Sequence, residues 1–384
     1  MTHIDPRFSG MLAQLIKDRL VDQSALAQKA NISRSYLSEI LNGKKMPRLT
    51  VAVALDHALE ARGALSDLIA YGVSDHDRGE LAAVVDNSRM VNEHTVAALQ
   101  RALDALRALD DAIGSAGVIG PASAQLGTIS NLVANVIGPQ RRPVLYVAAQ
   151  YAQFAGWLHL SLGRWDGASV WQGRGLEWAV EHGDPDLTAT ALSYQGHHAW
   201  LMWQDGAAVG KSLAALRDSA VHPTQRGYDC YQASRAYARS GMLRDAERML
   251  DLGNEIAELA QASTADLPPW QYHRALYVWD LERGLTRFEL AKRNRSLLPA
   301  ALKDLRAGLA GAPDSVRGAD WMAEYMARTA AALMLAGELD EASDLLEQAA
   351  RIAEATRSPR VGRLVSQLGR GLGQARPNPA TRAA

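Results

Sequence analysis

A chain of 384 residues with one cysteine, Cys230, cannot hold an internal disulfide or a cysteine-ligated metal cluster. No run approaches the ~20 apolar residues of a membrane helix, and the start, MTHIDPRFSG, is too polar for a secretory leader. The sequence therefore predicts a soluble, cytoplasmic protein. A net charge of −1 excludes a surface that coats polyanions indiscriminately. Phe is scarce, at 3 residues, and β-branched runs of period two do not occur, which argues against sheets. Also missing are G-x-S-x-G, a P-loop, H-E-x-x-H and a glycine-rich phosphate fingerprint after a strand. Asp110-Asp111 and Asp340-Glu341 read as capping or solvated carboxylates, and Cys230 as a buried thiol. The expectation is an all-α protein that is not an enzyme, with no cofactor and no metal.

What is present begins at Gln23. In QSALAQKANISRSYLSEILNGKKMPR, Leu26, Ala27, Ala30, Ile32, Leu37, Ile40 and Leu41 recur at three- and four-residue spacings, with a break at Asn31. Two short helices sharing one core fit that pattern. Ser33 suits an N-cap because its hydroxyl accepts from an open backbone N–H, and Asn42-Gly43 suits a helix end because it tolerates left-handed backbone. The second helix, Ser33 to Leu41, then turns Arg34, Ser35, Ser38 and Glu39 outward, where they can meet base edges in a major groove. Lys44, Lys45 and Arg48 follow as phosphate contacts. From Gln28 to Arg48 five basic residues stand against the single acid Glu39, a local net charge of +4. That is an electrostatic footprint for DNA.

These residues resemble the phage-repressor, or XRE-like, class of helix-turn-helix proteins. The likeness rests on Gln23, Leu26-Ala27, Ala30, Ile32-Ser33, Tyr36-Leu37-Ser38, Ile40 to Lys44 and Pro47. It implies a five-helix, lambda-repressor-like domain with an opening helix near Phe8 to Arg19, the central pair, then Thr50 to Glu60 and Ala64 to Ala70. It also implies base reading by Arg34, Ser35 and Glu39, and contacts to the DNA backbone by Gln23 and Asn42. With Ser33, Lys44, Lys45 and Arg48 these complete the expected phosphate set. Asn31 departs from the turn glycine common in the class, and Asn is among the few residues that also accept a positive φ.

Beyond the head, helix-compatible segments are punctuated by Gly120-Pro121, Gly138-Pro139, Asp184-Pro185, His222-Pro223 and Leu267-Pro268-Pro269. Self-similar units pair a small residue at a helix crossing with a turn and a later Ala. They stand at Ala155-Gly156, Gly163, Trp165 and Ala168, and at Gly196, Trp203 and Ala208. Two more stand at Ala233-Ser234, Gly241, Leu243 and Ala246, and at Thr329-Ala330, Gly337, Leu339 and Ala342. They resemble tetratricopeptide repeats, although turns 40, 38 and 96 residues apart exceed the ~34 of that repeat. One unit near Pro269 to Arg293 is then degenerate. The predicted organisation is a DNA-binding domain at 1–71, a hinge or linker at 72–91 with its polar part at 71–80, a TPR-like solenoid at 92–370 and a disordered tail at 371–384. A solenoid of this kind offers a concave receptor surface.

Aromatic residues crowd Tyr151 to Trp203 in a chain only 6% aromatic. Either these rings fill helix crossings or some line a pocket, for which Tyr151, Trp157, Gln195, His198 and Trp203 are the candidates. The adjacent His197 and His198 point about 100° apart on a helix, a poor arrangement for one metal ion. The resemblance implies a transcriptional regulator acting on a double-stranded DNA operator. Its array would dimerise, sense a small molecule or peptide, or do both; a TPR-type interaction adaptor with secondary DNA binding is the alternative. For a homodimer contact, the stripe Val96, Leu99, Leu103, Leu106, Leu109 and Ile113 is the sequence candidate.

Overall fold

The computed structural model describes residues 6–45, 47, 49–59, 61, 65, 81, 84, 87, 90–263, 267–271 and 275–375. Every regular element among the described residues is a helix, and none is long and apolar enough to cross a membrane. The head contains α1 (Pro6–Asp18), α2 (Gln23–Lys29), α3 (Arg34–Leu41) and α4 (Leu49–Ala58). Asp22 opens α2 by accepting from the backbone N–H of Ser24 and Ala25 at 2.9 and 3.0 Å, and those bonds draw its carboxyl below the ordinary aspartate range. Between α2 and α3 the chain turns at Asn31, whose φ is 52°. Ser33 caps α3, its hydroxyl accepting from the Tyr36 N–H at 3.1 Å, and Gly43 takes the left-handed conformation after it, with φ 64°.

Leu26, Ala27, Ala30, Leu37 and Ile40 are buried together with Phe8, Leu12, Ala52 and Leu55. The Ser9 hydroxyl donates to the Ile40 carbonyl at 2.8 Å and fixes α1 to the end of α3. The fifth helix expected at 64–70 and the polar hinge at 71–80 lie outside the described residues, Leu65 apart. Val84 and Val91, assigned to the linker by sequence, are buried in the first core of the body.

The body is a succession of antiparallel pairs: α5 (Glu93–Ile113) with α6 (Ser115–Asn135), α7 (Arg141–Ser161) with α8 (Trp165–His182), and α9 (Pro185–Leu201) with α10 (Asp205–Ala215). There follow α11 (Pro223–Arg239) with α12 (Leu243–Ala262), and α13 (Leu276–Ala291) with α14 (Leu298–Gly311). A short α15 (Asp314–Arg317) leads to α16 (Asp320–Ala336), which pairs with α17 (Leu339–Ala355), and α18 (Pro359–Ala375) ends the described chain. The first helix of each pair packs on the first helix of the next, so α7, α9, α11, α13 and α16 form an inner wall and their partners an outer one.

Turns at Gly163, Gly241 and Gly337 are left-handed, and Trp203 holds the equivalent turn with φ 61° despite its side chain. The α13/α14 pair, degenerate by sequence, has no glycine turn; its identity lies in the crossing, where a Cβ on Gly284 would stand 2.8 Å from the Leu305 backbone nitrogen. Helix α18 continues to Ala375 with Leu372 buried, past the domain edge expected at 370.

Two sequence expectations change here. The leucine stripe of α5 is not an open dimer surface: Leu99, Leu103, Leu106 and Leu109 are buried in one core with α6 and α7, where a neighbouring helix of the same chain supplies the apolar cover. Nor is the concave face an open groove. The array closes on itself, because α18 packs against α7 and α15 against α5. Trp321 donates its indole N–H to Asp111 at 3.1 Å, and Ser161 and Ser358 both bond the Asp320 carboxylate.

Candidate functional site

Two sites follow from this architecture. On the head, Arg34, Ser35, Ser38 and Glu39 are exposed along α3, with Gln23, Ser33, Asn42, Lys44 and Lys45 exposed around them. Several of these groups hold one another in place. Asn42 donates to the Ser38 carbonyl at 2.8 Å, and Ser33 and Ser35 share a hydrogen bond of 3.0 Å. Lys45 pairs with Glu39 at 3.5 Å and lies over the Tyr36 ring, 5.1 Å from its centroid. Both charges are half in water, so the pair is weak and can open to a phosphate or a base edge. All nine of these candidates are exposed; Arg48 lies outside the described residues.

In the body, the inner wall surrounds a cavity of about 130 Å³. It is lined by Arg107, Asp110 and Asp111 of α5, Gln153, Phe154 and Trp157 of α7, and Ser193, Tyr194, His197 and Trp200 of α9. Tyr228 and Arg235 come from α11, Glu282 from α13, Trp321, Glu324, Tyr325 and Arg328 from α16, and Trp270 from a 3-10 turn. Its aromatic walls meet edge to face: Trp157 on Tyr194 at 6.4 Å and 85°, Trp321 on Tyr325 at 6.4 Å and 88°.

The charges inside are organised in pairs. Arg235 sits between the Trp200 and Tyr228 rings, 5.5 and 5.8 Å from their centroids, and pairs with Glu282, which also accepts from the Tyr325 hydroxyl. Burial and the Glu282 charge push the Tyr325 phenol well above its ordinary range, so it stays a donor. Glu324 is held by Arg328 at 2.6 Å and by Arg360. Burial favours its protonated form, but Arg360 and Arg328 outweigh that and keep it ionised. His197 is pushed down to about 3 by burial, with Arg360, Arg235 and Arg328 adding to the effect against Glu324. It is therefore a neutral imidazole, sharing a hydrogen bond of 3.3 Å with Tyr228.

At the α5 side, Asp110 accepts from the Trp157 indole at 2.8 Å and from Ser115 at 2.8 Å. Its carboxyl is raised well above the carboxylate range, first by burial and then by the Asp320 charge.

Of the five pocket residues proposed from sequence, the cavity takes Trp157. Tyr151 is fully buried between helices, donating to the Leu99 carbonyl and Gln125. Gln195 donates to the Gln172 carbonyl at 3.2 Å, and His198 bonds the Gln172 side chain while stacking on Trp165, 5.7 Å away. Trp203 is 74% exposed at its turn, beneath the Arg239 guanidinium. The far wall escaped the sequence reading, although Trp321, Glu324, Tyr325 and Arg328 stand at i, i+3, i+4 and i+7 in an otherwise Ala- and Met-rich helix. That polar stripe on a core helix was the available signal. Among the described residues no group of His, Cys, Asp and Glu is arranged to hold a metal ion.

Residues 12–62 match the family described as Helix-turn-helix. Residues 12–62 form a helix-turn-helix domain, and the described residues from Glu93 onward form a TPR-like helical array. No curated protein matches the sequence. Among solved structures, the Bacillus thuringiensis protein PlcR, in complex with the peptide PapR7 and DNA, is 10% identical with a TM-score of 0.41, over 96% of this chain and 99% of that one. A Rap protein complexed with competence and sporulation factor is 13% identical with a TM-score of 0.45, over 91% of this chain and 99% of that one.

Proposed function

We propose that this protein is a sequence-specific, DNA-binding transcriptional regulator of the XRE-like type whose helical body binds an effector in its central cavity. The observation that carries the DNA reading is the capped helix α3, which presents Arg34, Ser35, Ser38 and Glu39 to solvent with Lys44 and Lys45 just past its end. In this reading Arg34, Ser35, Ser38 and Glu39 meet base edges. Gln23, Ser33, Asn42, Lys44, Lys45 and Arg48 hold phosphates and set the register. A recognition helix of eight residues reads few base pairs, so two heads on one operator, in a homodimer, supply the rest.

Helix α5 links the two sites. Its inward residues Arg107, Asp110 and Asp111 line the cavity, and the same helix packs against α4 of the head. An effector that favours one position of α5 over another would shift the heads by no more than its difference in affinity for the two states. The test is fluorescence anisotropy of the full chain on duplexes from the region upstream of its own gene, against scrambled DNA across a salt series. Binding with no sequence preference at any salt concentration rejects the regulator reading.

A further inference from the structure

Four rings stand together in the cavity wall, Trp157 against Tyr194 and Trp321 against Tyr325, each pair meeting edge to face. Both indoles give their N–H to neighbouring carboxylates of α5, Trp157 to Asp110 at 2.8 Å and Trp321 to Asp111 at 3.1 Å. A bond to a carboxylate pushes electron density into an indole, and an electron-rich ring attracts cations through its quadrupole. The rings of this wall already do so within the chain. Arg360 lies over the Trp157 ring, 5.7 Å from its centroid, and Arg328 over the Trp200 ring at 4.3 Å.

The charges around this space lean the same way. Arg235 is paired with Glu282, Arg107 with Asp104, and Arg328 with Glu324. Arg360 shares Glu324 and is also drawn by the Asp320 charge. With Asp110 and Asp111 of the wall included, these four guanidinium groups face six carboxyl groups. Asp110 lines the cavity at 7% exposure, and its bonds come from the neutral donors Trp157 and Ser115. Burial and then the Asp320 charge keep a proton on it, with a pKa raised to about 8. A carboxyl held in this way ionises when a cation comes beside it.

Resting on the reading of this cavity as an effector site, we propose that its ligand is a compact organic cation, an ammonium group carried on a small apolar body. The ammonium stands beside Asp110, among the Trp157, Tyr194 and Trp321 rings, and the body lies in the remaining aromatic space.

Benzylammonium, benzyl alcohol and benzoate present one ring with a cation, a neutral group and an anion, and ligand-observed NMR with the full chain at neutral pH ranks them directly. Benzylammonium is expected to bind at least about ten-fold more tightly than benzyl alcohol, the factor that one charge-assisted contact supplies, with benzoate weakest. Asp110→Asn keeps an acceptor for the Trp157 indole but removes the charge. In that variant benzylammonium should fall to the affinity of benzyl alcohol, while benzyl alcohol itself binds as before. Equal or tighter binding of benzyl alcohol or benzoate to the parent protein overturns the proposal, and so does absence of benzylammonium binding. Unchanged benzylammonium affinity in Asp110→Asn, or equal losses of both probes, overturns it as well. DNA binding measured on the same samples separates the failures: operator recognition without benzylammonium binding sinks this inference alone, and benzylammonium binding that never alters DNA affinity sinks the effector role alone.

Discussion

Trp321 and Asp111 stand 210 residues apart in sequence, and the indole N–H of one donates to the carboxylate of the other at 3.1 Å. That contact, with Ser161 and Ser358 on Asp320, joins the last repeats to the first and turns a solenoid into a ring. Ordinary repeat units touch only their neighbours and can fray from either end. A closed array should unfold as one body. In a double-mutant cycle, Trp321→Phe with Asp111→Ala should show a coupling of about 1 kcal/mol by urea denaturation. A coupling indistinguishable from zero would mean that the ring holds without this bond.

Arg235 and Glu282 form an ion pair in which both side chains are 2% exposed. Arg235→Met leaves Glu282 charged and desolvated, so a loss of about 3–5 kcal/mol is expected. The double variant Arg235→Met with Glu282→Leu removes both charges and should recover most of that loss. Chemical denaturation of the two proteins side by side decides it, and a double variant as unstable as the single one contradicts the account.

Stability should carry a pH signature from Asp110. In the folded chain its carboxyl keeps a proton to higher pH than in the unfolded chain, because burial and then the neighbouring Asp320 disfavour its charge. Above about pH 4, the ordinary aspartate range, the unfolded chain releases a proton that the folded chain retains. This contribution to stability is therefore full below that pH and declines as pH rises toward the folded-state pKa. Asp110→Asn cannot release that proton, so its stability relative to the parent protein should improve steadily from pH 4 upward. Melting curves at several pH values check the slope; an improvement largest at pH 4 has the wrong sign.

The buried leucine stripe of α5 makes a separable prediction. Leu103 is fully buried, so Leu103→Ala should destabilise the protomer by about 2–5 kcal/mol. Molar mass by light scattering should be unaffected under native conditions. A variant of normal stability but altered mass would return α5 to the dimer interface.

On the head, base reading and phosphate holding should separate by position. Arg34→Ala should cost about 1–3 kcal/mol at one base position and relax preference there. Lys44→Ala should weaken all sequences alike and lower the salt slope by about one. Equal losses for Arg34→Ala on operator and scrambled DNA would remove Arg34 from the base-reading set.

The helix-turn-helix domain was legible because its determinants are local. Ser33 caps a helix whose first N–H groups lie within three residues, Asn31 and Gly43 mark positive φ at their own positions, and the apolar spacing around Leu26 and Ile40 selects one buried face. The turns at Gly163, Gly241 and Gly337 were legible for the same reason. Periodicity names a buried face but not what buries it. The stripe on α5 reads identically whether α6 and α7 or a second chain covers it, and only the tertiary packing chose the former. The cavity lay further out of reach. Small rotations between successive helix pairs accumulate until Asp111 meets Trp321, and no residue encodes that sum. Curvature therefore decided that Trp157 would face Glu324 and Tyr325 across an enclosed space, and that Tyr151 and Trp203, only one or two turns of sequence pattern away from it, would not.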